Sequence, residues 1–163
     1  MILNEATIQR IKTRMVRYPT RRSAILPALT AAYKQLGHLN PAAYREIAHI
    51  LDVPYVEIAE AASFYTMFPK QEVGRYLIQA CHNISCSLRG ADNLIAYLEQ
   101  ALGIRLGETT SDNLFTLISV ECLGGCSAAP MMQINDDYYE DLTRDKVDKI
   151  LVDLRAQATA AGR

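Results

Sequence analysis

Gly74-Arg75-Tyr76-Leu77-Ile78-Gln79-Ala80 reads as a β-strand, and it stops at Cys81. Phe115-Thr116-Leu117-Ile118-Ser119-Val120 reads as a second strand, and it too stops just short of a cysteine, Cys122. Both runs are rich in aliphatic and aromatic side chains that suit a pleated, half-buried surface. Between them, Leu94, Ile95, Leu98 and Leu102 recur at helical spacing over Asp92 to Leu102, and Gly103 ends the run. Met131 to Ile134 and Tyr138 to Glu140 flank Asn135-Asp136-Asp137, which reads as a hairpin turn. Thr143 caps a last helix carrying Val147, Ile150, Leu151 and Leu154, and the alanine-rich end after Arg155 is expected to fray. The order is strand, helix, strand, strand, strand, helix. Helices packed on a small mixed sheet satisfy that order.

Upstream of Pro69 the pattern changes to helices alone. Asn4 can cap a helix in which Ile8, Ile11 and Met15 share a face, and Tyr18-Pro19 ends it. Ile25, Leu29, Tyr33 and Leu36 mark a second helix closed by Gly37, with Pro27 set to delay or kink its start. Asn40-Pro41 is a cap and first-turn pair for a third helix through Ile50, and Pro54 opens a fourth running to about Phe64. The fold class is therefore α+β. An N-terminal helical bundle over residues 1–70 precedes a domain with a small mixed sheet over residues 71–163.

At 163 residues and 50% hydrophobic, the chain can bury a core and is not a disordered segment. A formal net charge of −1, with both signs interspersed, argues against a nucleic-acid binder working through a basic face. No stretch of about 20 apolar residues is present, so direct membrane insertion is not expected. Met1 to Arg17 lacks the apolar block of a secretory signal, which points to a reducing compartment.

There, four cysteines are metal ligands or catalytic groups more often than bridges. They fall as Cys81-x4-Cys86 and Cys122-x3-Cys126, each pair beginning where a strand stops. Loops at strand ends can bring two such pairs together over one sheet edge. Four thiolates are the usual ligand set of a [2Fe–2S] cluster, two per iron. Soft thiolates suit zinc as well, but structural zinc favours tight Cys-x2-Cys knuckles and neither pair here is tight. Spacing thus favours iron–sulfur and leaves a zinc-bound structural module, or plain buried thiols, as alternatives. Gly124 and Gly125 lie inside the second loop, either to let backbone N–H groups approach sulfur or simply to make a tight turn. A Rieske centre needs two histidine ligands, and only His82 of the three histidines adjoins a cysteine pair. Cys81 and His82 are adjacent strand residues facing opposite ways, which argues against a Cys–His nucleophile. Neither a Gly-x-Gly-x-x-Gly nor a Walker loop occurs, so the sequence shows no nucleotide site of its own and no catalytic residue.

The segments Ala80-Cys81-His82-Asn83-Ile84-Ser85-Cys86-Ser87-Leu88-Arg89-Gly90-Ala91 and Glu121-Cys122-Leu123-Gly124-Gly125-Cys126-Ser127-Ala128-Ala129-Pro130 resemble the two cluster motifs of a known family. Ser63-Phe64-Tyr65-Thr66-Met67-Phe68 and Ile134-Asn135-Asp136-Asp137-Tyr138-Tyr139-Glu140 are also similar to it. The family is the thioredoxin-like [2Fe–2S] ferredoxins, which include the small iron–sulfur subunit of the NADH-oxidising module of respiratory complex I. The resemblance implies a thioredoxin-like ferredoxin domain behind a helical N-terminal domain. It implies one [2Fe–2S] cluster ligated by Cys81, Cys86, Cys122 and Cys126. It also implies electron transfer beside a flavoprotein subunit that binds FMN and oxidises NADH, in NADH:quinone oxidoreductase. The implied location is cytoplasmic, peripheral to the inner face of the plasma membrane through the complex. Related subunits serve NAD-linked hydrogenases and formate dehydrogenases, and the motifs do not separate these. One departure is Gly125, where the family often has alanine.

Overall fold

The computed structural model describes residues 1–161 of the chain. They fall into two compact units, one ending at Glu72 and the other beginning at Val73.

The first unit contains four helices: α1 (Glu5–Met15), α2 (Ile25–Leu36), α3 (Pro41–Leu51) and α4 (Tyr55–Phe64). Side chains flanking the helices decide where two of them begin. The Asn4 carboxamide oxygen accepts the Thr7 N–H at 2.8 Å, and that of Asn40 accepts from Ala42 and Ala43, each at 3.1 Å. Each occupies amide donors that the first helical turn leaves without a backbone partner. Pro27 neither delays nor kinks α2, because it lies in the first turn, where its missing N–H breaks no bond. Ile11, Leu29, Leu39, Ile47, Leu51, Ile58 and Phe68 fill the core. Each contributes roughly 1.5–3 kcal/mol by leaving water. Phe68 lies beyond α4, and the Leu39 N–H bonds the Pro69 carbonyl at 2.8 Å, so the exit segment is fastened to the bundle.

The second unit is a four-stranded mixed sheet with helices. Its elements are β1 (Tyr76–Cys81), α5 (Ile84–Leu88), α6 (Ala91–Leu102), β2 (Phe115–Val120), β3 (Met132–Ile134), β4 (Asp137–Tyr139) and α7 (Arg144–Ala161). Sheet order is β2-β1-β3-β4. β1 and β2 are parallel, and α5 and α6 supply the crossover that parallel strands require. β3 runs antiparallel to β1, and β4 antiparallel to β3. α6 packs on β1 and β2 and against α7. Ile78, Leu98, Phe115, Leu117, Met132 and Val147 form the centre of this core.

In this second unit three local expectations change. α5 is an additional short helix between β1 and α6. The hairpin turn is two residues rather than three, since Asp137 already pairs with Ile134 and Asn135 takes the left-handed conformation at φ 53°. The C-terminal helix, expected to fray after Arg155, is helical as far as Ala161. Alanine is the strongest helix former, and Ala158 is half-buried against the sheet core.

Candidate metal centre

The register of β1 and β2 decides where the cysteines meet. Cys81 pairs with Val120, so both strands stop at the same end of the sheet. Cys81 is the last residue of β1, and Cys122 follows two residues after β2. The His82 N–H still bonds the Val120 carbonyl at 3.0 Å, and the chain then turns at Asn83 into α5. That single turn of helix carries Cys86 back toward Cys81. Arg89, just past α5, donates from Nε to the Ala129 carbonyl at 3.1 Å, so the first cysteine loop is tied to the segment that follows the second. Cys126 opens a 3-10 turn through Ala128.

The four thiols are not equivalent. Cys81 and Cys86 are buried, 3% and 2% exposed, whereas Cys122 and Cys126 are exposed. The buried pair forms a small apolar cluster with Ala91, Ala129 and Met131, and Leu123 leans on it half-buried. Burial pushes the Cys86 thiol up to about 11. A hydrogen bond with the Cys81 thiol and the nearby charges of Cys81 and Cys126 add to the rise, while the Met131 amide N–H opposes it by favouring thiolate. The Cys81 thiol donates to the Glu121 carbonyl at 3.5 Å, and its own amide N–H donates to the Met131 carbonyl at 3.2 Å.

The two glycines between Cys122 and Cys126 do different things. Gly124 has φ +85°, a left-handed conformation that side chains resist, so it makes the turn. Gly125 has an ordinary φ of −89° and instead provides space. A Cβ there would lie 2.5 Å from Met131 Sδ.

His82 does not face Cys81. Its Nε2 lies 3.7 Å from Glu121 Oε1 at the rim, in an ion pair that counts only when the imidazole is protonated. Asp92 accepts the Ser87 hydroxyl at 2.8 Å. Among the described residues, no three His, Cys, Asp or Glu side chains gather as a cage for one metal ion. What the sheet end offers is two cysteine loops, with Cys81 and Cys126 both acting electrostatically on Cys86. That donor set fits a two-iron group, which asks for two thiolates per iron rather than four about one point. Cys81, Cys86, Cys122 and Cys126 are the side chains that could hold it. Met131 and Arg89 were not legible as site residues. Neither is a thiolate, and each acts through contacts between segments remote in sequence.

Residues 11–155 match the sequence model of a family described as thioredoxin-like [2Fe-2S] ferredoxin. One subunit of the NADH-quinone oxidoreductase of Rhizobium meliloti (strain 1021) is 48% identical over 148 residues, covering 91% of this chain and 88% of that protein. Its counterpart in the NADH-quinone oxidoreductase of Rickettsia conorii is 49% identical over 138 residues, covering 83% of each. Among solved structures, an NAD+-reducing [NiFe]-hydrogenase in the air-oxidized state aligns with a TM-score of 0.71 and 28% identity. That alignment covers 82% of this chain but only 23% of the hydrogenase chain.

Proposed function

The chain belongs to the thioredoxin-like [2Fe–2S] ferredoxin family, and on that premise we propose that it is the [2Fe–2S] electron-transfer subunit of an NADH:quinone oxidoreductase. One observation carries the reading: two parallel strands in register deliver two cysteine loops to the same sheet end. The ligands are Cys81, Cys86, Cys122 and Cys126. The bound group supplies one-electron exchange. The chain does the rest. Cys81, Cys86, Ala129 and Met131 keep water from the inner side, and the Met131 N–H favours negative charge on the Cys86 sulfur. The exposed Cys122 and Cys126 mark the outer side, where an electron enters or leaves.

FMN and NADH belong to a partner flavoprotein subunit, since this sequence carries no nucleotide fingerprint. Ile84 and Leu88 stand on one face of α5, 68% and 81% exposed, each two residues from Cys86 in sequence. Such a pair suits a protein interface better than water. Residues 71–163 hold the cluster, and residues 1–70 serve docking, with Phe64, Tyr65 and Met67 as exposed apolar contacts. No helix among the described residues is long and apolar enough to cross a membrane. The chain reaches the inner face of the plasma membrane through its complex, from the cytoplasmic side. The equivalent role in an NAD-linked hydrogenase is the second reading. The hydrogenase likeness favours it less, at 28% identity against 48% for the Rhizobium meliloti relative.

Protein purified without oxygen should contain iron and acid-labile sulfide in equal amounts, two of each per chain, and be red-brown. Each Cys→Ala substitution should abolish or destabilise the cluster. Zinc in place of iron, or full cluster content in two or more of the four variants, overturns the ligand assignment. Co-purification with a membrane complex, rather than a soluble one, separates the first reading from the second.

A further inference from the structure

Met131 touches both cysteine loops in three ways. Its carbonyl accepts the Cys81 N–H at 3.2 Å. Its own N–H donates to the Cys86 sulfur. Its side chain, 1% exposed, lies under Gly125 in the second loop, with Sδ 2.5 Å and Cε 3.1 Å from the place a Cβ on that glycine would take. Real Cβ atoms essentially never approach heavy atoms within 3.0 Å. We propose that Gly125 and Met131 are a matched steric pair: the empty place at 125 seats the Met131 thioether, and this seat positions the Met131 amide on Cys86. Met131 is thus a positioning residue for the redox site, and the size of residue 125 is read out at Cys86, on the other loop.

Alanine adopts a φ of −89° as readily as glycine does, so room rather than a left-handed turn is at issue at Gly125. On the far side of that space Glu140 Oε1 lies 3.1 Å from the added carbon, but Glu140 is exposed and can swing into water. Met131 cannot. It is enclosed by Cys81, Cys86, Ala91 and Ala129. A methionine yields readily at its three side-chain torsions, but in a closed cluster its sulfur can move only against those neighbours. The displacement therefore reaches the segment that holds both Cys81 and Cys86. Weakening the N–H to the Cys86 sulfur removes a stabiliser of the more negative, reduced state, so the potential should fall.

The inference rests on the four-cysteine cluster reading, and a double-mutant cycle on the full chain tests it. Gly125→Ala should lower the reduction equilibrium constant about tenfold, which is ~59 mV for one electron. The readout is a potentiometric titration followed by electron paramagnetic resonance, with the rate of iron loss to a chelator beside it. Met131→Val removes the thioether end, and the double variant Gly125→Ala/Met131→Val should return most of the way to the Met131→Val value. An unchanged potential in Gly125→Ala, or a double variant shifted as far as the sum of the two single ones, overturns the pairing. Should Gly125→Ala lose its cluster outright, the double variant must regain full iron and sulfide content; failure to regain it overturns the pairing as well. Parent protein without iron and sulfide would instead sink the cluster reading itself.

Discussion

Cluster-free protein should show the inequality of the cysteines directly, through the reactivity of Cys86. The perturbation is removal of the metal, followed by exposure to a small aromatic disulfide at pH 7.5. An ordinary thiol titrates near 8.5, whereas Cys86 is pushed up to about 11 by burial and by its thiol neighbours. The difference of roughly 2.5 units lowers its reactive thiolate fraction at neutral pH by about 300-fold. A more basic thiolate is a better nucleophile, and a Brønsted slope of about 0.45 gives back roughly tenfold. Ionisation alone should therefore make Cys86 about 25-fold slower than an unhindered thiol, and its 2% exposure slows it further. The raised value fixes the sign of the pH dependence. The thiol stays protonated through the window in which an ordinary cysteine ionises, so its rate should climb about tenfold per pH unit from 8 to 10. It should level only near 11, not near 8.5. Peptide mapping of the quenched reaction reads each site, with the exposed Cys122 and Cys126 labelled first. A Cys86 rate within threefold of an ordinary thiol at pH 7.5, or a plateau near 8.5, would refute the packing and electrostatics described here. In the metal-bound protein all four should be protected.

Further outcomes follow from the same structure. The midpoint potential should lie near the plant-type ferredoxin value of about −400 mV, because the four proposed ligands are all thiolates and Glu121 adds charge beside Cys122; a midpoint above about −150 mV would show hydrogen bonding outweighing ligand charge. Asn40→Ala should cost about 1 kcal/mol, within 0.5–2, since one side chain caps two amides of α3, and an unchanged denaturant midpoint would remove Asn40 from the stability of the bundle. Deleting residues 1–70 should leave a red-brown protein that no longer binds the proposed flavoprotein partner. Loss of the cluster with partner binding retained would reverse the assignment of roles.

The parts legible in the sequence were those set by local rules. Asn4 and Asn40 announced helix starts because capping is a contact of two or three residues, and Leu94, Ile95, Leu98 and Leu102 announced α6 because a buried stripe repeats every turn. The two cysteine pairs announced themselves by beginning where strands stop. What stayed hidden was either too short or too distant. α5 is five residues long, under two turns, so no periodicity can form in it, yet it is what returns Cys86 to the site. The burial of one cysteine pair and exposure of the other depends on Ala91, Ala129 and Met131, which local pattern cannot join to Cys86. In the sequence Gly125 and Gly124 share the same two readings, close approach of N–H groups to sulfur or a tight turn. Only the Met131 sulfur beneath Gly125 separates a conformational need from a need for room.

The pairing of β1 with β2 also works as a ruler. Six consecutive partner pairs, from Tyr76↔Phe115 to Cys81↔Val120, fix how far each cysteine loop projects, however much chain lies between them. Added residues at a solvent-facing bend such as Ser111 to Asn113 would leave the gauge unread. One residue inserted within β2 would slip every pair below it and turn alternate side chains to the wrong face. Drift in chain length among descendants of this sequence should therefore gather at such bends. The two strands themselves should keep their count, as the parts whose length is itself a functional quantity.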